Sequence, residues 1–359
     1  MALLFMDSFD HYVTADVAKK WTTSTISGAG SGIVIVAGAA RTGAAGLRAN
    51  YGSGSASGGL FSKTLVPSGA GVVIGFAFRT DVVPPASNGT GIVAVFDGGT
   101  PQLSFVLLTD MRLQVKCGTP DGGTVLGTTA AAITSVDVWC YLEVAATIDP
   151  AAGVVTIRVN GVEALSLTGQ NTRNTAATQW TAVRLGIQVG VTGTSPGVSR
   201  ECDYDDLYVL DQSGSAPWNT FLGDCRVDPC LPTGAGATTG WTPSAGANWQ
   251  CVDDAAPNDD TDYTSATTPG LTDTFVIGDA PTGVIYGVQA VLIAKKVEIG
   301  TASLSAVVRH SGVDYPGAEI PASISYSGLL DIFETNPATG LQFTTAEFNA
   351  AEFGYQKVI

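Results

Sequence analysis

The sequence predicts an all-β protein made of two antiparallel β-sandwich domains with a short C-terminal helix. Three observations predict this class. The length of 359 residues suits about two domains of ordinary size. Short β-branched or aromatic runs recur between clusters of Gly, Pro, Asp or Thr. Apart from a few short stretches, no helix-length window shows the 3.6-residue apolar period.

Strand signals fill the first part of the chain. Two hairpins are its best-defined elements, because residues 149–153 (DPAAG) have the composition of a tight turn and Asn160-Gly161 supplies the dipeptide of a two-residue hairpin. The predicted strands are residues 72–78, 91–96, 103–108, 112–117, 138–147, 154–159, 183–191 and 204–210.

We predict a first sandwich over residues 1–215, a linker or domain junction over 216–240 where Ser, Gly and Pro accumulate, and a smaller sandwich over 241–359. Strand signals resume in the last of these segments. A terminal helix over residues 347–353, capped by Thr344 or Thr345, closes the chain.

Charge and hydropathy exclude several classes of function. The formal charge of −15 and a pI near 4.3 argue against binding nucleic acid or an anionic membrane through a charged patch. The longest apolar stretches, such as residues 32–40, are far below the roughly 20 residues that span a bilayer. Lys19 and Lys20 follow the apolar start instead of preceding it, so no leader is apparent. We expect a soluble protein made in the cytoplasm.

The usual catalytic motifs do not occur. His11 and His310 are the two histidines, neither has a plausible partner set nearby, and no G-x-S-x-G elbow is present. The glycine-rich stretches 28–32 and 52–59 match neither a dinucleotide nor a phosphate loop. We therefore predict no enzyme and no cofactor.

An acidic row is the strongest catalytic candidate. Alternation along a strand puts Glu201, Asp203 and Asp205 on one face. The row resembles the E-x-D-x-E signature of laminarinase-type glycosidases, which implies a nucleophile and an acid about 5.5 Å apart. Asp205, however, stands where the longer acid Glu belongs. The favoured alternative is a solvated strand edge whose other face, with Cys202 and Tyr204, meets the core.

Three further sets are candidate binding residues. Trp218, Trp241 and Trp249 lie in irregular, Gly-rich sequence, where their rings can stack on sugars or fill a partner's pocket, or simply pack in the core. The loop 253–262 offers oxygen ligands for Ca²⁺ but lacks the EF-hand glycine and terminal glutamate, so a solvated loop is favoured. Its weak metal candidates are Asp254, Asp259, Asp260 and Asp262.

Three cysteines, Cys225, Cys230 and Cys251, cluster near the predicted junction. They allow a zinc site or a staple, but no C-x-x-C pair occurs and histidines are few. Small buried thiols are favoured, and their disulfide state is left open.

One resemblance concerns the fold. The run W-C-Y-L-E-V from Trp139, the run ending in V-N-G at Gly161 and Y-D-D-L-Y-V from Tyr204 resemble the concanavalin-like or laminin-G-like jelly roll. This resemblance covers most of residues 1–215 and implies a jelly-roll-like sandwich there.

A second resemblance concerns biology. F-L-G-D-C-R-V (221–227), the region 241–262 and E-T-N-P-A-T-G (334–340) resemble virion proteins of tailed phages, although Cys225 and Cys230 depart from that pattern. The resemblance implies a virion structural protein, most simply tail-associated as a fibre, tip or tail-surface protein, that acts in particle assembly and host-surface contact. The implied partners are other virion proteins, further copies of the chain and a host cell-surface glycan.

Alternatives stay open. A capsid decoration protein competes within the structural class. A carbohydrate-binding module would use the rims of the same sandwiches. A glycan-degrading enzyme would rest on Glu201, Asp203 and Asp205.

Overall fold

The computed structural model describes residues 2–26, 32–51, 59–84, 89–188, 200–297 and 299–359. The protein is nearly all β, with 46% of residues in strands and 6% in helices, which confirms the predicted class. The chain divides into two compact units. Unit 1 comprises Met1–Val17 and Trp21–Val227, and unit 2 comprises Ala18–Lys20 and Asp228–Ile359.

Within the described residues, unit 1 consists of two antiparallel sheets. Sheet A contains β1 (Leu3–Asp7), β3 (Gly32–Val36), β4 (Gly46–Tyr51), β6 (Gly71–Thr80), β11 (Cys140–Thr147), β12 (Gly153–Val159), β13 (Val162–Gln170) and β15 (Arg200–Leu210). Sheet B contains β2 (Thr23–Ile26), β5 (Gly59–Thr64), β7 (Thr90–Asp97), β8 (Thr100–Leu107), β9 (Leu113–Cys117), β10 (Thr124–Thr128) and β14 (Ala182–Gln188).

The order of strands is β13-β12-β11-β6-β15-β4-β3 in sheet A, with β1 also paired to β15. In sheet B it is β10-β9-β8-β7-β14-β5-β2. Successive strands along the chain pass between the sheets, as β5 and β6 do, and the short helix α1 (Val17–Lys20) precedes β2. The architecture is a β-sandwich in which many neighbouring strands are far apart in the sequence.

The core of unit 1 lies between the two sheets. Val93, Phe105 and Val115 oppose one another on three neighbouring strands of sheet B and are fully buried. From sheet A, Tyr204 packs against Phe78 with ring centroids 5.5 Å apart. Its hydroxyl donates to the carbonyl of Ile92 in sheet B at 2.9 Å. This hydrogen bond satisfies a buried polar group and joins the two sheets.

Both predicted hairpins are present. The carboxylate of Asp149 accepts the N–H groups of Ala151 and Ala152, at 2.8 and 2.6 Å, in the turn between β11 and β12. Asn160 and Gly161 adopt φ values of 51° and 78° between β12 and β13. Positive φ at both positions is what a two-residue hairpin requires.

Unit 2 is built on one larger sheet and two ribbons, within the described residues. Its strands are β16 (Pro232–Thr239), β17 (Thr242–Pro243), β18 (Thr264–Ser265), β19 (Thr272–Ile277), β20 (Val288–Ala294), β21 (Ser303–His310), β22 (Val313–Pro316), β23 (Ile320–Pro321), β24 (Ser327–Phe333) and β25 (Glu352–Lys357). The six-stranded sheet has the order β16-β19-β25-β21-β22, with β23 on β21, and the ribbons are β17-β18 and β20-β24.

The terminal helix packs on this sheet. Helix α2 (Thr345–Ala350) begins after Thr344, whose hydroxyl accepts the N–H of Glu347 in a capping box, as predicted. Phe348 joins Val308 and Phe343 in the core. The predicted end of the helix is wrong, because residues 352–357 form β25, which pairs with β19 and β21. Tertiary pairing there overrides the local helical signal.

The segment 216–240 differs from the predicted linker. It contains β16, which pairs with β19, so unit 2 begins at Asp228. The strand is rich in Gly, Ala and Thr and has register shifts, which hides it from a search for β-branched runs. None of the helices in the part of the chain that the structure describes is long and apolar enough to cross a membrane.

Candidate functional site

The acidic row lies on the outer face of sheet A. Glu201, Asp203 and Asp205 alternate on β15 with Cys202 and Tyr204, which are buried. The predicted solvated strand edge is wrong, because β15 pairs with β6 on one side and β4 on the other. Asp203 is 3% exposed and Asp205 is fully buried.

Two arginines neutralise the centre of this row. Arg48 on β4 and Arg79 on β6 stand directly opposite Asp203. Arg48 donates to its carboxylate from Nε at 2.8 Å, and Arg79 donates from Nη2 at 2.6 Å. Arg48 also reaches Glu201 at 2.7 Å. Both arginines donate to the carbonyl of Gly38. The row is a partly buried ion-pair network with its carboxylates engaged.

A β-bulge places one further carboxylate, that of Asp206, beside Asp205. The register of β15 shifts after Asp205, and Asp206 takes a φ of 53°. Asp205 Oδ2 accepts the N–H groups of Arg41 and Thr42 at 2.7 and 3.0 Å. Burial, reinforced by the charge of Asp206, raises the pKa of Asp205 to about 7. The bulge thus fixes the loop that carries Arg41 against the sheet.

Residues 221–227, the F-L-G-D-C-R-V segment, run along this face, and we call them the strap. The strap is tied down by hydrogen bonds from its own backbone to side chains of sheet A. Three such bonds form: Gly223 N to Glu143 Oε1 at 2.7 Å, Leu222 N to Tyr208 Oη at 3.1 Å, and Val227 N to Asp206 Oδ1 at 2.9 Å.

Side chains of the strap add further contacts. Phe221 lies under the guanidinium of Arg158, 4.4 Å from the ring centroid. Asp224 pairs with Arg41 at 2.7 Å. Within the strap, burial raises the pKa of the Cys225 thiol to about 12. The segment that resembles virion proteins therefore covers the outer face of sheet A at this point.

The three tryptophans belong to two units, Trp218 to unit 1 and Trp241 and Trp249 to unit 2. Trp241 donates from Nε1 to the carbonyl of Leu271 at 3.0 Å and packs edge-on against Tyr355, with centroids 4.9 Å apart. Trp249 is half-buried in a short 3-10 helix of unit 2. Trp218 is half-buried in unit 1, where its N–H donates to Ser215. Trp241 is thus a packing residue of unit 2.

The acidic loop is held by internal contacts. The Asn258 amide donates to Asp254 at 2.6 Å and to Asp262. Asp259 pairs with Lys19 at 2.5 Å, and Asp260 pairs with Lys295 at 2.6 Å. The described residues contain no group of three or more side chains of metal-binding type.

The cysteines are all free thiols. Cys225 and Cys230 are half-buried, and Cys251 is buried with its Sγ 3.0 Å from the carbonyl of Ala245. Cys225 belongs to unit 1, whereas the other two belong to unit 2.

The outer face of sheet B carries a mixed row of residues that the sequence did not reveal. Two of its members, Ala94 and Ser104, are fully buried, and the Ser104 hydroxyl donates to the carbonyl of Gly118 at 2.6 Å. Register places its members directly opposite one another on five neighbouring strands, so their side chains share one face. In order across β5, β14, β7, β8 and β9, they are Ser62, Arg184, Ala94, Ser104 and Lys116.

Two cations of this row form no salt bridge in the described structure. Arg184 lies over Phe96, 3.9 Å from the ring centroid, and burial lowers its pKa. Lys116 is 7% exposed, and its Nζ donates to the carbonyl of Pro120 at 2.6 Å. The hydrogen bond from Thr119 and, to a smaller extent, the charge of Lys116 lower the pKa of Asp121. The strand spacing puts their backbones about 14 Å apart. The sequence alone gives no sign that these residues are aligned, because the register between paired strands cannot be read from it.

No known protein family and no curated protein matches the sequence. Solved structures with a similar fold include a cellulose-induced protein, Cip1, at 16% identity and a TM-score of 0.42, covering 54% of this chain and 91% of that one. A mutant of alginate lyase Aly36B bound to an alginate tetrasaccharide has 14% identity and a TM-score of 0.42, covering 57% and 96%.

The binding domain of botulinum neurotoxin serotype C1 spans both units, covering 94% of each chain, at 8% identity and a TM-score of 0.40. All three are neighbours in fold alone. At such scores the likeness concerns general architecture, and no residue role transfers from them.

Proposed function

We propose that unit 1 binds a glycan on the outer face of sheet B and that the glycan carries carboxylates. The observation that supports this is the pair Arg184 and Lys116, one half-buried and one buried cation, neither of which forms a salt bridge in the described structure. A buried cation is costly unless an anion compensates it. A uronate chain supplies carboxylates for both cations, and the partly exposed Ser62 lies on the same row.

The outer face of sheet A offers no comparable site. Its central arginines are compensated by Asp203 and Asp224, and the strap covers Glu143 and Tyr208. Arg41, Arg48 and Arg79 form salt bridges, whereas Arg184 and Lys116 form none in the described structure.

The test uses alginate, a linear polyuronate, and dextran as the neutral comparison. We expect alginate in a native gel to retard the full chain and dextran not to. Arg184→Ala lowers the affinity at least tenfold, because a hydrogen bond to a charged group contributes about 1.5–3 kcal/mol. Arg158→Ala is the matched control, since Arg158 also lies on an aromatic ring but on sheet A. Equal loss in both variants, or no retardation of the native chain, contradicts the proposal.

The same proposal makes the chain a binding protein and not an enzyme, because the acidic row is engaged by arginines. Alginate and neutral glycans incubated with the protein should keep their chain length in size-exclusion chromatography. If the glycan chains become shorter and the Glu201→Gln variant no longer shortens them, the proposal is overturned and catalysis is assigned to the acidic row. If the Glu201→Gln variant still shortens the glycan chains, catalysis lies outside the acidic row.

A second candidate is a structural protein of a tailed-phage virion, most simply at the tail, where glycan binding would serve host contact. It is favoured by two of the three segments that resemble virion proteins, residues 221–227 and 334–340, because each has a defined place in the fold. The strap covers sheet A, and in the segment 334–340 the buried Asn336 side chain accepts the N–H of Ala338 in a tight turn.

Cryo-electron microscopy of purified particles tests this candidate. Density for the chain in rings or fibres of the tail is the expected result. Density on the capsid lattice would make the chain a decoration protein instead. A chain that is missing from the particles by mass spectrometry would exclude a virion role.

A further inference from the structure

Two loops adjoin at one end of sheet A in unit 1. Residues 81–84 follow β6, and residues 134–139 precede β11, which pairs with β6. The N–H of Asp137 donates to the carbonyl of Thr80 at 2.8 Å, and Asp137 takes a φ of 60° in a tight turn. This hydrogen bond holds the two loops side by side. We call residues 81–84 and 134–139 the rim.

Apolar side chains are exposed on the rim. Val83, Val136 and Val138 are 44%, 38% and 52% exposed. Trp139 is half-buried, and the guanidinium of Arg79 lies 5.0 Å from its ring centroid. A partly exposed tryptophan and a group of exposed aliphatic side chains are typical of surfaces that bind another protein.

Two carboxylates border the apolar side chains. Asp81 and Asp137 are exposed, and neither forms a salt bridge in the described structure. Asp81 Oδ1 accepts the N–H of Glu201 at 2.7 Å. Partial burial of its carboxylate raises the pKa of Asp81, and the charge of Asp137 adds to the rise. The charge of Arg48 also reaches Asp81, but that guanidinium is bound to Asp203 and Glu201. A cation placed between the two rim carboxylates would remove their mutual repulsion.

We propose that the rim docks a basic, aliphatic segment of another protein. A Lys or Arg of that segment would lay its methylene stem on the exposed valines and place its charged head between Asp81 and Asp137. Both side chains commonly bury their stems on apolar surface while the charged head stays in water. Aliphatic neighbours of this cation in the segment would cover Val83, Val138 and the exposed part of Trp139.

Charge and side-chain chemistry favour this occupant over others. The chain carries a charge of −15, which attracts a basic partner and repels a second copy of the chain. The rim carboxylates also repel a uronate, and valine side chains cannot hydrogen-bond the hydroxyls of a neutral glycan. An aliphatic segment has no such groups to satisfy and gains free energy when it leaves water. The proposal does not depend on the glycan site, which uses residues of sheet B.

The first experiment titrates the full chain with three synthetic pentapeptides, blocked at both ends, by isothermal titration calorimetry at low salt. We expect Val-Lys-Val-Lys-Val to bind with a dissociation constant below about 1 mM. Val-Glu-Val-Glu-Val lacks the cation and Gly-Lys-Gly-Lys-Gly lacks the aliphatic side chains, so each should bind about tenfold more weakly or not at all. Binding of the first peptide should weaken as salt is added, because the ion pairs are exposed.

Variants of the chain test the two parts of the rim separately. Asp137→Asn should weaken binding of Val-Lys-Val-Lys-Val about two- to fivefold, because an exposed ion pair contributes little, and asparagine tolerates the positive φ of this turn. Asp149→Asn, in the turn at the other end of β11, is the matched control and should bind as the native chain does. Val138→Ser should weaken binding about fivefold. Its control is Val125→Ser on β10, since Val125 is 51% exposed. Circular dichroism confirms that each variant is folded.

The second experiment locates the bound peptide. A carbodiimide joins a lysine amine to a neighbouring carboxylate as an amide, with the loss of one water molecule. Mass spectrometry should find Val-Lys-Val-Lys-Val attached to Asp81 or Asp137. The proposal is overturned by a native chain that does not bind this peptide, by equal binding of the three peptides, by equal weakening in the control variants, or by cross-links outside the rim only. A native chain that is dimeric in light scattering, with a monomeric Val138→Ser variant, would assign the rim to a second copy and also overturn it. None of these outcomes depends on alginate binding.

Discussion

Buried charge in unit 1 is concentrated where arginines of two strands meet one carboxylate. Asp203 is almost fully buried, whereas Arg48 and Arg79 keep part of their side chains in water. Removing a partner from a buried charge costs more than the intact pair contributes, because the remaining charge is left desolvated. The residues of this network consequently act on stability as a group.

We predict that Arg48→Ala combined with Arg79→Ala lowers the free energy of unfolding by about 3–5 kcal/mol, because Asp203 is then buried without a cation. Chemical denaturation measures this. Arg112→Ala is the control, since its pair with Asp110 is exposed, and it should leave stability almost unchanged. Equal effects of the two changes would show that Asp203 is more solvated than the structure indicates.

Asp205 gives a prediction for pH. Its folded pKa, about 7, is raised above the ordinary value of 3.8, so the folded state binds this proton more tightly than the unfolded state. The contribution of Asp205 to stability is therefore fully present below about pH 4 and is lost as the pH rises through 7. Asp205→Asn should flatten the dependence of the unfolding free energy on pH over this window. An unchanged dependence would assign it to other groups.

At the scale of elements, the strap shows how the residues of one short segment are used in contacts with unit 1. Gly223 takes a φ of 92°, which presents its N–H to Glu143. Asp224 is placed beside Arg41, and Phe221 beside Arg158. Phe221, Leu222, Gly223 and Val227 thus meet four different side chains of sheet A, and Asp224 meets the loop before β4.

Gly223→Ala should destabilise the protein by about 1–2 kcal/mol, because a side chain disfavours the left-handed region even where space is open. Gly69→Ala is the control. It also has open space around its Cβ position but no positive φ, so it should be neutral or slightly stabilising. Thermal unfolding measures the melting temperatures of the Gly223→Ala and Gly69→Ala variants. Equal melting temperatures would contradict a fixed left-handed conformation at Gly223.

At the scale of the whole molecule, the division into units depends on where the strap belongs. A fragment of residues 1–227 includes it, whereas a fragment that ends at residue 215 leaves Glu143 and Tyr208 without the strap's donors. The two side chains would keep only the hydrogen bond between them, from Tyr208 Oη to Glu143 Oε1 at 2.6 Å, and each hydrogen bond lost from a charged group costs about 1.5–3 kcal/mol. We predict cooperative unfolding of the longer fragment and aggregation or early melting of the shorter one. Equal stability would move the boundary back to residue 215.

Much of the architecture was predictable from local patterns. The all-β class, the hairpins at residues 149–153 and at Asn160-Gly161, and the cap at Thr344 follow from composition, turn chemistry and capping, which act over a few residues. Strand β16 was missed because its Gly- and Ala-rich sequence has little intrinsic strand preference.

The sequence by itself determined which residues alternate on a strand, and hence that Glu201, Asp203 and Asp205 share a face opposite Cys202 and Tyr204. Only the tertiary structure decided that β15 is a central strand, that Arg48 and Arg79 stand opposite Asp203, and that Arg184 and Lys116 lie on one row. Alternation is a property of one strand, with a period of two residues. Register and strand order arise from pairing between segments that are far apart in the chain, so no local pattern contains them.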